Sequence, residues 1–263
     1  MWIWMLACSD PLPRTVAACE EALPAVDPYN SYAETAAQVS PDCWSALAEG
    51  IGLPLYSPPA ANTTEAHILL GLLTLLADDS QTLGEALEDP DAPELAQELL
   101  LDGAMASGVS PEDPVGWGWF SLVSAHIEHT RIVEDMEDSD HLASFSDGTV
   151  TFPEHHWAAT WILGDFPLVT GAILVHEASH ARVGHVPCEH QTADENDQCD
   201  DDTEGAYGVQ LWMLQSWMWQ HPRLRGAWEC WGTESMARDV CTYRLNTRPD
   251  WRVCHQAYCT AAP

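Results

Sequence analysis

The sequence predicts a mainly helical α+β fold in which a helix carrying His176-Glu177-Ala178-Ser179-His180 packs against a small twisted sheet. Three observations carry that prediction. Apolar stretches recur at helical length, notably residues 65–77 and 167–183. One short segment, residues 148–152, alternates β-branched and aromatic side chains as a strand does. A chain of 263 residues is long enough for a sizeable core in one elaborated domain.

Residues 1–13 read as a leader or the remnant of a lipoprotein signal, because the apolar run Trp2-Ile3-Trp4-Met5-Leu6-Ala7 ends on Cys8, where a bacterial lipoprotein carries its lipidated cysteine. The run is short, and no basic residue precedes it. Residues 14–62 are rich in Ala, Pro and Ser, with Cys19 and Cys43 able to close one loop, and form a stapled N-terminal appendage that could cover a cleft as a propeptide. Residues 63–263 are expected to form the main domain, ending in a Cys-rich tail.

Within that domain residues 65–77 are apolar on most faces, Ser80 can cap a short helix to Glu88, and Pro93 opens another through Met105. A further helix is predicted over residues 119–136, burying Leu122, Ile127 and Val133. Gly148-Thr149-Val150-Thr151-Phe152 follows an Asp147-Gly148 turn and meets Pro153, so it reads as an edge strand, along which an extended peptide could add by backbone hydrogen bonds. The motif helix spans residues 167–183 and Gly184 is placed to end it. An acidic loop, residues 185–203, is bracketed by Cys188 and Cys199, and a last helix covers residues 203–220. The tail holds Cys230, Cys241, Cys254 and Cys259, whose pairing spacing alone does not fix.

The formal charge of −32 arises from 41 acidic residues against nine basic ones, every one of them Arg. Such a surface repels phosphate backbones, which excludes nucleic-acid binding through a basic groove and leaves a polypeptide as the expected partner. The apolar run of residues 68–77 stops at Asp78 and Asp79, short of the ~18–20 residues a spanning helix needs, so contact with a membrane is expected only through Cys8. Nine cysteines without paired CxxC knuckles point to an oxidising compartment, and setting Cys8 aside leaves an even eight. The expected location is extracytoplasmic, secreted or lipid-anchored in a bacterial envelope.

His176-Glu177-Ala178-Ser179-His180 matches the pattern HExxH. On a helix, positions i and i+4 lie one turn apart on one face, so His176 and His180 can reach a single zinc ion while Glu177 beside them serves as general base. A catalytic zinc needs a third protein ligand and an open fourth position. Here the chain resembles the zincin superfamily of metallopeptidases. The metzincin branch has its third His six residues after the second; that position is Val186, and Gly184-His185 is displaced by one, so this branch is set aside. In the gluzincin branch an acidic residue on a following helix is the ligand, and Glu204 fits. The deuterolysin-like aspzincins place Tyr-Gly three residues after their acidic ligand, a spacing reproduced by Glu204-Gly205-Ala206-Tyr207-Gly208, which implies Tyr207 as oxyanion stabiliser. That family has Asp where this chain has Glu204, and its upstream Gly-Thr is replaced by Asp200-Asp201. The expected order for the third ligand is Glu204, then Asp200, Asp201 or Asp202, then His185.

The resemblance implies a zinc metallopeptidase that hydrolyses peptide bonds through metal-activated water. A non-catalytic binding protein on the same scaffold and a zinc amidase are the alternatives. The run Asp194-Glu195-Asn196-Asp197 with Asp200-Asp201-Asp202 offers oxygen ligands of the kind calcium takes, but lacks EF-hand spacing and reads as a solvated loop. His126 and His129 read as a polar helix face, His155 and His156 as polar residues after the strand sooner than as substrate contacts, and the tryptophans at 212, 217, 219, 228 and 231 as core.

Overall fold

The computed structural model describes residues 11–26, 32–134, 143–154, 167–188, 198–220, 228–247, 250 and 254. Ten helices are formed among them: α1 (Pro11–Cys19), α2 (Tyr32–Ala36), α3 (Pro41–Gly50), α4 (Thr64–Leu76), α5 (Leu83–Leu87), α6 (Glu94–Ser107), α7 (Val115–His126), α8 (Pro167–Ser179), α9 (Ala206–Gln220) and α10 (Trp228–Asp239). The strands are β1 (His129–Val133), β2 (Ser144–Ser146), β3 (Thr149–Pro153), β4 (Val186–Pro187) and β5 (Gln198–Cys199). The fold is mainly helical α+β, as the sequence predicts.

The motif helix α8 lies at the centre. Every one of its residues from Pro167 to Ser179 is buried, and α4 is buried at every position except Glu65, so neither has a polar face to offer water. The two helices cross where small residues let their backbones meet: a Cβ on Gly71 would stand 2.7 Å from the amide nitrogen of Gly171. α7 and α9 cover other sides of α8, and α6 packs behind α7. No helix is long and apolar enough to cross a membrane among the described residues.

Residues of the N-terminal segment enter the same core. Cys19 and Cys43 form a disulfide that ties α1 to α3, and Trp44, Leu47 and Ile51 are buried with the leucines of α4. Ile51 also accepts a 2.8 Å hydrogen bond from the Thr130 hydroxyl, which joins the segment to the sheet. The Cys188–Cys199 disulfide closes the loop the sequence brackets, and Cys241–Cys254 assigns one pair of the tail. Three disulfides among the described residues indicate an oxidising environment.

Several boundaries differ from expectation. The helix predicted over residues 119–136 ends at His126; Ile127 turns extended (ψ 98°), and β-branched Thr130, Ile132 and Val133 continue as β1. His126 and His129 therefore do not share a helix face. The segment read as an edge strand is the central one, with β3 parallel to β1 and antiparallel to β2. The expected turn does form: Asp147 (φ 48°) and Gly148 (φ 74°) both take left-handed conformations, as a two-residue hairpin requires. Ser80 bonds Asp78 instead of capping, and Thr82 with Glu85 makes a reciprocal capping box for α5.

Candidate metal centre

α8 brings His176 to its last turn, and the chain beyond Ser179 tightens into i→i+3 bonds, with the His180 amide donating to the Glu177 carbonyl at 3.1 Å. The helix thus ends before Val183, earlier than predicted, but His180 still stands one turn above His176. Their Nε2 atoms are 3.2 Å apart and their rings meet edge-on at 85°. The His180 Nδ1–H can donate to the Val183 carbonyl at 3.0 Å, which leaves its Nε2 as a bare lone pair aimed at His176. Two such lone pairs repel unless a proton or a cation lies between them. Zn–N bonds of about 2.0–2.1 Å at a tetrahedral angle would set the nitrogens about 3.3 Å apart, so the observed spacing suits a shared metal.

The third imidazole is His185. One ring nitrogen from each of His176, His180 and His185 lies within 4.8 Å of the others. His185 arrives through the β4–β5 hairpin, in which Val186 pairs with Cys199 and Pro187 with Gln198, and the Cys188–Cys199 disulfide locks that register. Antiparallel pairing continued by one residue sets His185 opposite Asp200, and the His185 Nδ1 lies 2.9 Å from the Asp200 Oδ1. The other carboxylate oxygen of Asp200 accepts a 2.6 Å bond from the Tyr207 amide at the start of α9. A Cβ on Gly205 would overlap this carboxylate, which explains a glycine there.

Tyr207 stacks on His185 (centroids 4.7 Å, 19°) and lies 4.4 Å from the His176 ring. Its far neighbour is Arg244, whose guanidinium carbon is 6.0 Å from the ring centre. Arg244 ends a π-turn, Val240–Arg244, tied to Asp200 by the Asp200 amide donating to the Arg244 carbonyl at 2.9 Å.

Burial controls the charge states. His176 and Glu177 are each 6% exposed. Desolvation, reinforced by the neighbouring imidazoles, holds His176 well below its ordinary range, and desolvation also lowers His180. The His176 Nδ1 is buried without a hydrogen bond, although the Ala206 backbone is near enough to favour a proton. Desolvation pushes the Glu177 carboxyl up to about 8. It likewise drives Tyr207 up to about 12, partly offset by Arg244. The set is therefore two imidazoles that burial keeps neutral, the ring of His185 beside them, a carboxyl poised to exchange a proton near neutral pH, and a phenol that stays protonated. The donors fit an imidazole-binding ion such as zinc, copper, iron or nickel.

The third ligand expected from sequence, Glu204, is elsewhere. Its carboxylate accepts the amides of Glu94 and Leu95 at 3.2 and 3.0 Å, closing the N-terminus of α6, which starts after Pro93 with no capping side chain of its own. Asp202 accepts the Glu204 amide at 2.8 Å, and Asp201 accepts from Asn246 at 3.3 Å, so neither joins the imidazoles. His185, placed last in the expected order, is the residue that lies with His176 and His180, and Asp200 stands behind it. Tyr207 lies against the rings of His176 and His185. Trp212 is core, tilted against Trp119 at 5.6 Å with its indole N–H donating to Asp89, and Trp217 is buried too. His155, His156 and the acidic run 194–197 lie outside the described residues, as do the side chains of Trp219, Trp228 and Trp231. Comparison with protein-family models, with curated proteins and with solved structures found nothing that matches the chain.

Proposed function

We propose that the chain is a zinc-dependent hydrolase of peptide bonds, similar in its chemistry to the HExxH metallopeptidases, acting outside the cytoplasm as a secreted protein or one held by lipid at Cys8. The observation that carries this reading is the convergence of three imidazoles beside a buried glutamate, with His176 and His180 Nε2 atoms 3.2 Å apart. Held by His176, His180 and His185, zinc would supply Lewis acidity, polarising a carbonyl and lowering the pKa of water.

The chain's own residues supply the proton transfers. Glu177 accepts the proton of the attacking water and returns it to the leaving amine; a carboxyl group poised at about 8 is matched to both tasks near neutral pH. Tyr207, held protonated by burial, donates its hydroxyl hydrogen toward the carbonyl oxygen as that atom gains negative charge. The acidic surface disfavours polyanions and favours neutral or basic polypeptides.

The test pairs elemental analysis of purified protein with digestion of a peptide library by wild type and Glu177→Gln. Expected are one zinc per chain in both proteins, cleavage by wild type, and at least a hundredfold loss of turnover in the variant. A protein that purifies and reconstitutes without metal, or a variant with undiminished turnover, would overturn the reading.

A further inference from the structure

We propose that Asp200 is the positioning residue of the metal centre: through its two carboxylate oxygens it fixes the tautomer of His185 and the placement of Tyr207 together. The inference rests on the metal-site reading above, and not on hydrolysis.

Asp200 is nearly buried, and both oxygens are engaged by different elements. Oδ1 faces the His185 Nδ1 at 2.9 Å, and Oδ2 accepts the Tyr207 amide at 2.6 Å. A carboxylate only accepts hydrogen bonds, so the neutral ring of His185 carries its proton on Nδ1 and presents Nε2 as a lone pair. Neutral imidazole in solution has no such obligation. His176 and His180 take their places from the helix and its last turn, whereas His185 directly precedes a two-residue strand and has no helical partner to orient it. The carboxylate does for this ligand what helix geometry does for the others.

The surroundings of Asp200 are built to hold it still. Its amide donates to the Arg244 carbonyl at 2.9 Å and its carbonyl accepts the Asn246 amide at 2.8 Å, so the backbone is pinned on both sides. Gly205 leaves the volume that the carboxylate fills. Because Tyr207 begins α9 and stacks on His185, one side chain sets the distance between the third ligand and the phenol.

Asparagine is the informative replacement. Its amide has one oxygen and one NH2 group where two acceptors are needed. If the oxygen serves the Tyr207 amide, the NH2 faces His185 and drives the proton onto Nε2, which blocks coordination. The reverse orientation keeps His185 but leaves an NH2 against the Tyr207 N–H.

The test measures zinc affinity by competition with a chromophoric chelator for wild type, Asp200→Asn, His185→Ala and the double variant, alongside the visible spectrum of each cobalt-substituted protein. Asp200→Asn should bind zinc about 10- to 100-fold more weakly and alter the cobalt spectrum. The double variant should bind no more weakly than His185→Ala, because the carboxylate acts through that ring. Asp200→Asn within twofold of wild type, or losses that multiply in the double variant, would overturn the proposal while leaving the metal site intact. Absence of zinc binding in wild type would overturn both. Should Asp200→Asn fail to fold, nitrogen-15 NMR of zinc-loaded wild type decides: His185 is expected with a proton on Nδ1 and none on Nε2, and a proton found on Nε2 refutes the assignment.

Discussion

Gly71 and Gly171 face each other where α4 crosses α8, so close that a Cβ on Gly71 would stand 2.7 Å from the Gly171 nitrogen and 3.0 Å from the Thr170 carbonyl carbon. Both nearest atoms are backbone and cannot swing aside. Because α8 carries His176 and Glu177 five and six residues further on, the crossing sets where the motif sits relative to the rest of the core. Gly71→Ala is expected to force the helices apart at a cost of about 1–3 kcal/mol, read as a lowered urea midpoint. Metal affinity should fall with it, since α8 must shift relative to the hairpin that brings His185. An unchanged midpoint would mean that the crossing is looser than it stands here.

Glu204 separates two explanations of one sequence pattern. As a zinc ligand, its removal would empty the site; as the cap of α6, its removal frees the Glu94 and Leu95 amides and weakens one helix terminus. Glu204→Ala is accordingly expected to keep full zinc content while losing about 1 kcal/mol of stability, the usual size of a lost helix cap. Elemental analysis and thermal melting on the same sample distinguish the two.

What could be read from the sequence follows from how local each determinant is. His176, Glu177 and His180 are legible because a helix converts spacing directly into a shared face. The Asp147-Gly148 hairpin turn and the Cys188–Cys199 closure are legible for the same reason, since both depend on neighbours along the chain. His185 and Asp200 are not: they meet because β4 pairs with β5 across residues of no periodic pattern, and two-residue strands leave no alternation to detect. The bracket of Cys188 and Cys199 was the available signal, for a closed loop must return near its start, and Asp200 directly follows the second cysteine. The residues of Glu204-Gly205-Ala206-Tyr207-Gly208 serve three partners, with Glu204 on α6, Gly205 yielding to Asp200, and Tyr207 on the imidazoles.

The buried ionisable groups give the metal-free protein a distinctive pH profile. His176 and His180 have folded values below the ordinary 6.5, so the unfolded chain binds their protons more readily, and stability falls as pH drops below about 6.5. Glu177 has the opposite sign: its folded value of about 8 exceeds the ordinary 4.5, so stability falls as pH rises from 4.5 to 8. Below 6.5 His176, His180 and the part-buried His126 oppose one glutamate; above 6.5 these histidines no longer oppose it. In the presence of chelator, the urea midpoint should therefore peak near pH 6.5 and decline toward pH 8, with a slope of up to about 1.4 kcal/mol per pH unit. Glu177→Gln should flatten the alkaline limb and steepen the acid one, where the histidines are then unopposed. An alkaline limb that persists in the variant would move the titrating group elsewhere.

The Cys19–Cys43 and Cys188–Cys199 disulfides should differ in what they control. Replacing Cys19 and Cys43 by Ser loosens α1 against α3, a contact far from the imidazoles along the chain, and is expected to lower stability without changing metal affinity. Replacing Cys188 and Cys199 by Ser unlocks the hairpin that sets His185 opposite Asp200. Each closure of this size constrains the unfolded chain by about 2–3 kcal/mol, so the two double variants should melt at similarly reduced temperatures. Only the second should bind zinc more weakly, because His176 and His180 remain on α8 while the third imidazole gains freedom that binding must remove. Equal zinc affinity in both variants, measured by chelator competition under conditions where each is folded, would mean that strand pairing and Asp200 hold His185 without the disulfide.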